Sequence, residues 1–215
     1  MYRRRRPRAK NSKISWLALR SPSTLPDTMY LKLPFHQTIS MGDVVGVAFD
    51  IATYSINSLF QPNAITPGSR QPLGFDEWSA FYNVYQVLGS SIKIQILSQG
   101  TTQIREFILY PSNSSAGIVD PSTAREQPYA KHKYIVNSTT TQVAYIKHYI
   151  GVKKLEARST NSINFAANVG SNPSEQKFWH FLISTVDGSD LAETFIDVKI
   201  MYYAKMSRRK DLAAS

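Results

Sequence analysis

In TFIDVKIMYY (residues 194–203), Ile196, Val198, Ile200 and Tyr202 fall on one side of a two-residue period, and Asp197 and Lys199 fall on the other. Successive side chains of an extended strand point to opposite faces, so such a stretch buries one face and wets the other. The same period runs through TMYLKLPFHQTI, with Met29, Leu31, Leu33, Phe35 and Ile39, and through VVGVAFDIAT, with Val45, Val47, Phe49 and Ile51. SMGD (residues 40–43) supplies the turn between them. Further strands are expected over Gln103–Tyr110, His132–Asn137, Gln142–Ile150, Lys177–Thr185 and Ala192–Tyr203, with VDGS (186–189) joining the last two as a hairpin. FWHFLI (178–183) is apolar on both faces, which calls for a central strand or one covered from outside.

GFDEWSAFYNVYQVLGSSIKIQIL (74–97) holds the most local information. Phe75, Trp78 and Tyr82 have the one-sided spacing of a short helix, which Gly74 or Asp76 could cap. Alternation then resumes with Tyr85 and Val87 on odd positions and continues with Ile92, Ile94 and Ile96 on even ones. That change of phase across Leu88-Gly89-Ser90 predicts a bulge or sharp bend in one long strand. Eight antiparallel strands, one or two short helices and long loops such as 57–74 suit an all-β fold, a single eight-stranded jelly roll. A closed barrel or an immunoglobulin-like sandwich shares the same pattern.

Charge is distributed very unevenly along this chain. Of 25 basic residues, eight lie in residues 1–26, where there is no acid, and four lie at Lys205, Arg208, Arg209 and Lys210. Residues 27–204 are left with 13 basic and 14 acidic side chains. Three segments are therefore expected: an Arg-rich flexible arm (1–27), a folded domain (28–206) and a basic tail (207–215). Arg3, Arg4, Arg5, Arg6, Arg8, Lys10 and Lys13 offer dense positive charge suited to phosphate oxygens, with binding that ignores sequence and weakens with salt. The same Arg3, Arg4, Arg5, Arg6 and Arg8 would serve as a nuclear localisation signal. Trp16, at the junction of arm and body, could stack on a base or pack against the body. A reader of duplex sequence would need a basic folded face, whereas this body is neutral in sum.

Catalytic chemistry finds little support. Cysteine is absent, which removes thiolate metal sites and a Cys nucleophile. His36, His132, His148 and His180 have no paired ligand spacing, so no metal is expected, and no phosphate loop or dinucleotide fingerprint occurs. Asp76-Glu77 reads as helix-start charge. No cofactor and no enzyme activity are expected. Asn113 and Asn137 read as chance glycosylation matches. No apolar run suits a secretory signal or a bilayer span, so no membrane insertion is expected.

An Arg-rich start, the segment PLGFDEWSAFYNVYQVLGSSIKIQI (72–96), the segment REQPYAKHKYI (125–135) and the strand layout together resemble capsid proteins of circular, Rep-encoding single-stranded DNA viruses, the circovirus-like group. The resemblance implies a jelly roll that assembles with itself into a small icosahedral shell, sixty copies in the simplest lattice. It implies a circular single-stranded DNA genome as partner, with the arm inside the shell on DNA and also engaging a host nuclear import receptor. A host cell-surface attachment factor is a further implied partner. The location would be the virion, and the host nucleus and cytoplasm during assembly. The arm is short for that group, and the basic C-terminus matches no motif of it. The rival is a single-strand-binding or nuclear shuttle protein that never assembles, at which Tyr145, Lys147 and Tyr149 on one face of VAYIKHYIGVKK hint.

Overall fold

The structure is a computed structural model and describes residues 25–42, 46–65, 70–98, 103–135, 142–156 and 163–211. Arg3, Arg4, Arg5, Arg6, Arg8, Lys10, Lys13 and Trp16 lie outside the described residues. Among those described, the elements are β1 (Thr28–Met41), β2 (Phe49–Ser55), α1 (Phe75–Ser79), β3 (Tyr82–Ser98), β4 (Arg105–Ser112), α2 (Pro121–Arg125), β5 (Lys131–Ile135), β6 (Gln142–Gly151), α3 (Val152–Glu156), β7 (Ala166–Asn168), β8 (Phe178–Thr185) and β9 (Thr194–Arg209).

Two sheets pack face to face, one in the order β1-β9-β3-β6 with β7 added to β3, the other in the order β2-β8-β4-β5. All pairings are antiparallel. The pairs β1 with β9, β2 with β8, β3 with β6 and β4 with β5 are nested along the chain, like one long hairpin rolled up. That is the jelly roll, and it rules out the barrel and immunoglobulin alternatives.

The predicted change of phase has its expected cause. Val87 lies opposite Ala204 and Gly89 opposite Tyr203, so β3 spends one more residue than β9 at Leu88. This bulge brings odd-numbered Tyr85 and Val87 and even-numbered Ile92, Ile94 and Ile96 into one core. There they meet Phe107, Leu109, Trp179, Phe181 and Ile183 of the other sheet. Full burial of each isoleucine stabilises the fold by about 1.5–3 kcal/mol. Two hydrogen bonds tie the layers together: Trp179 Nε1 donates to Ser90 Oγ at 2.9 Å, and Tyr202 Oη donates to the Ser55 carbonyl at 2.8 Å.

β8 is buried along its whole length. It is central in its sheet, and its outer face is also covered. Residues 112–130 fold over it, so that Ile108, Tyr110, Leu182 and Ala124 of α2 form a second, smaller core. His180 sits in this layer, with Nε2 donating to the Ser114 carbonyl at 2.9 Å and Nδ1 accepting from Thr53 Oγ1 at 3.0 Å.

Four expectations need correction. Phe49 and Ile51 do not face the main core: Ala52 and Tyr54 do, while Ile51 packs into the outer layer. Tyr82 opens β3 instead of closing a helix, because α1 ends at Ser79. Gly74, at φ 87°, provides the N-cap of α1 without a side-chain bond. Among the described residues there are three α-helices, since α3 follows β6 directly, and one short 3-10 helix at Ile163–Phe165. The expected boundary after residue 206 falls inside β9, which runs to Arg209.

Candidate nucleic-acid interface

The strands of the β1-β9-β3-β6 sheet hold seven basic residues (Lys32, Lys93, Lys147, Lys199, Lys205, Arg208 and Arg209) and a single acid, Asp197. Alternation turns the five lysines outward, because the inward positions of these strands are filled by the apolar core. The neutral body therefore has a cationic side. Its other outer face is the one covered by residues 112–130.

Register brings three of these lysines and His36 into a row. His36 of β1 lies opposite Lys199 of β9, Lys199 opposite Lys93 of β3, and Lys93 opposite Lys147 of β6. Directly opposite residues have Cβ atoms about 4.5–5.5 Å apart, so each like-charged neighbour costs on the order of a few tenths of a kcal/mol. Asp197 relieves one end only. It holds Lys199 Nζ at 3.1 Å, accepts from Thr38 Oγ1 at 3.2 Å and pairs with His36 Nε2. Burial pushes the Asp197 carboxyl up, but these hydrogen bonds outweigh burial and hold it below the usual carboxylate range. At the other end Lys93 Nζ lies 4.6 Å from the centre of the Tyr145 ring, and no carboxylate pairs with Lys93 or Lys147 among the described residues. Lys131 joins from the second sheet, its Nζ donating to the Lys147 carbonyl at 2.7 Å.

One step along the strands the row changes character. Pro34, Met201, Ser91 and Tyr149 lie side by side, and one step further come Lys32, Tyr203 and Gly89. A Cβ on Gly89 would meet the Tyr149 hydroxyl at 3.1 Å, so the bare glycine lets Tyr149 lean across it. Tyr149 there meets Tyr203 edge-on, with ring centres 5.8 Å apart. The result is a depression of about 500 Å³. Lysines stand along one side, Pro34 and Met201 form the floor, and Tyr149, 59% exposed, forms the far wall.

Tyr145, Lys147 and Tyr149 do share the outward face of β6, as their spacing predicts. Lys32, Lys93 and Lys199 were not legible as partners, because each is a lone cation in its own stretch. The arm is rooted on this sheet: Tyr82 Oη donates to the Pro26 carbonyl at 2.7 Å, and Arg209 Nη1 donates to the Leu25 carbonyl at 2.9 Å. Lys205 belongs to the cationic face, opposite Tyr30 and Gln86. His148 Nε2 donates to the Tyr129 carbonyl at 2.8 Å, so the histidines are dispersed, and no three metal-ligating side chains group among the described residues.

No family model matches the sequence, and no curated protein matches it. Solved structures do resemble the fold. The mud crab tombus-like virus structure is 14% identical over 92% of this chain and 98% of its own, with a TM-score of 0.48. Desmodium yellow mottle tymovirus is 15% identical over 91% of this chain and 99% of its own, at 0.45. The decameric BFDV capsid protein is 9% identical over 84% of this chain and 99% of its own, at 0.44. At these values the likeness is one of outline, and the functional reading rests on the chain's own topology and charges.

Proposed function

We propose that the chain is a viral capsid protein that assembles with copies of itself into a small icosahedral shell, sixty copies in the simplest lattice, around circular single-stranded DNA. In this reading the arm (Arg3, Arg4, Arg5, Arg6, Arg8, Lys10 and Lys13) gathers the polyanion, Trp16 adds a stacking surface, and the same arginines carry the chain into the host nucleus. One observation carries the proposal. Seven cations of the jelly roll gather on the β1-β9-β3-β6 sheet beside a single acid, and the arm is rooted on that same sheet. A tiling unit with one side toward a polyanion needs such sorting. A uniformly solvated protein has no use for it.

Large apolar residues on loops favour assembly over a solitary binder. Leu73 is 76% exposed, Ile65 60%, Val186 57% and Val119 53%, and they lie on three loops (Ile65 and Leu73 between β2 and α1, Val119 between β4 and α2, Val186 between β8 and β9), as contacts to several neighbours would require. The second reading, a strand-binding or shuttle protein that never assembles, draws on the exposed Tyr145 and Tyr149 around Lys147. Nuclease-treated full-length protein separates the two. The capsid reading expects closed particles with an absorbance excess at 260 nm that survives nuclease and is lost on deleting residues 1–13. Monomers that bind DNA but never close into particles would leave the second reading standing.

A further inference from the structure

The row His36–Lys199–Lys93–Lys147 is costly for the fold alone, since neighbouring lysines repel and one acid answers them at one end. No core packing demands it, because all four side chains point away from the core. A dense row of this kind is explained by an anion that lies along it. The adjoining floor and wall are apolar and aromatic, a surface that suits a planar ring and not a second ion.

We propose that this depression seats one unit of a single-stranded nucleic acid, with its phosphates on Lys93, Lys147 and Lys199 and its base on Met201 and Tyr149. The proposal rests on the polyanion-gathering role above for the class of occupant, and it adds a second site, on the folded body, to the arm. The site would be indifferent to sequence, because lysines meet phosphates as point charges and every base has a π-face. An acidic segment of a second copy suits the row less well. The body's 14 acids are scattered over residues 27–204, and the one adjacent acid pair is Asp76-Glu77.

The test uses the full-length chain and a fluorescent fifteen-residue oligothymidylate. Binding is followed by anisotropy between 50 and 300 mM salt, and contacts are mapped by ultraviolet cross-linking and peptide mass spectrometry. Cross-links are expected at Tyr149 or in its peptide as well as in residues 1–13. The double substitution Lys93→Gln/Lys147→Gln should weaken binding about tenfold at low salt. It should also reduce the slope of log affinity against log salt by about 1.4, two phosphate contacts at roughly 0.7 each. Tyr149→Ala should weaken binding at least about fivefold. Thermal melting of the lysine double variant should be unchanged or raised, because a repulsion has been removed.

Cross-links confined to residues 1–13, or a double variant that binds as tightly as the parent, would overturn the proposal while leaving the capsid reading intact. A double variant that binds DNA normally but no longer self-associates would reassign the row to a subunit contact and overturn it too. A chain that forms no particles yet cross-links at Tyr149 would refute the capsid reading and support this one.

Discussion

Deleting Leu88 tests the link from sequence to fold most sharply. The bulge at this residue lets two out-of-phase halves of β3 face one core. Leu88 is the residue that has no partner on β9, so without it Val87 and Gly89 become consecutive and keep their partners Ala204 and Tyr203. Every inward side chain then stays inward, and the deletion should cost only about 0.5–3 kcal/mol. Deleting Lys93, where the strands pair one to one, is the contrast. It can be absorbed only by unrolling the bulge, which turns Ile92 outward, or by turning Ile94 and Ile96 outward. Each of these isoleucines is at most 1% exposed. Judged by the cost of truncating a buried isoleucine, about 2–5 kcal/mol each, the Lys93 deletion should lose roughly 2–10 kcal/mol, a large part of the ~5–15 kcal/mol such a domain has. Urea unfolding followed by tryptophan fluorescence and far-ultraviolet circular dichroism reads both. A Leu88 deletion that loses cooperative unfolding, or a Lys93 deletion that is as stable as it, would refute the reasoning.

Other consequences follow from single contacts. Burial holds the His180 imidazole below its ordinary value, and His148 is lowered by burial and by Lys131 and Lys154. Below about pH 6.5 the unfolded chain therefore takes up protons that the fold refuses, and stability falls as pH drops; urea midpoints between pH 8 and 5 should decline, and less so in His180→Gln. Trp179→Phe removes the bond to Ser90 and should cost about 2–4 kcal/mol by chemical denaturation, of which adding Ser90→Ala should restore roughly 1 kcal/mol, since the stranded hydroxyl goes with it. A fluorescent reporter fused to residues 1–13 should accumulate in nuclei, and replacing Arg3, Arg4, Arg5, Arg6 and Arg8 with alanine should abolish this; equal distribution of both fusions would remove the import role.

The sequence reading succeeded where physics is local. The bulge was legible because apolar residues must return to one face, and a change of phase records where they do. The burial of β8 was legible because FWHFLI leaves no polar side to wet. β2 was misread for the converse reason. Phe49 and Ile51 alternate correctly, but the layer that covers Ile51 is residues 112–130, distant in the chain and invisible to a period count. Tyr82 kept helical spacing from Phe75 and Trp78 while pairing as a strand, since three positions fit either element.

The cationic face was hidden for a related reason. Lys93 is 54 residues from Lys147 and 106 from Lys199, and Lys199 is 163 from His36, so only the nested pairing of β1, β9, β3 and β6 unites them. Net charge along the body averages this sorting away. Tyr145-Lys147-Tyr149 was the visible fragment, because one strand carries all three.

The central claim is self-assembly into a closed shell, and the direct measurement is the mass of the nuclease-treated full-length protein by sedimentation or single-particle mass analysis. Sixty chains of 24.2 kDa come to about 1.45 MDa of protein. The account predicts one narrow species at or somewhat above that mass, the excess being nucleic acid, with closed particles in negative stain. A monomer or small oligomer that persists across salt and pH, with no closed particles, would contradict it.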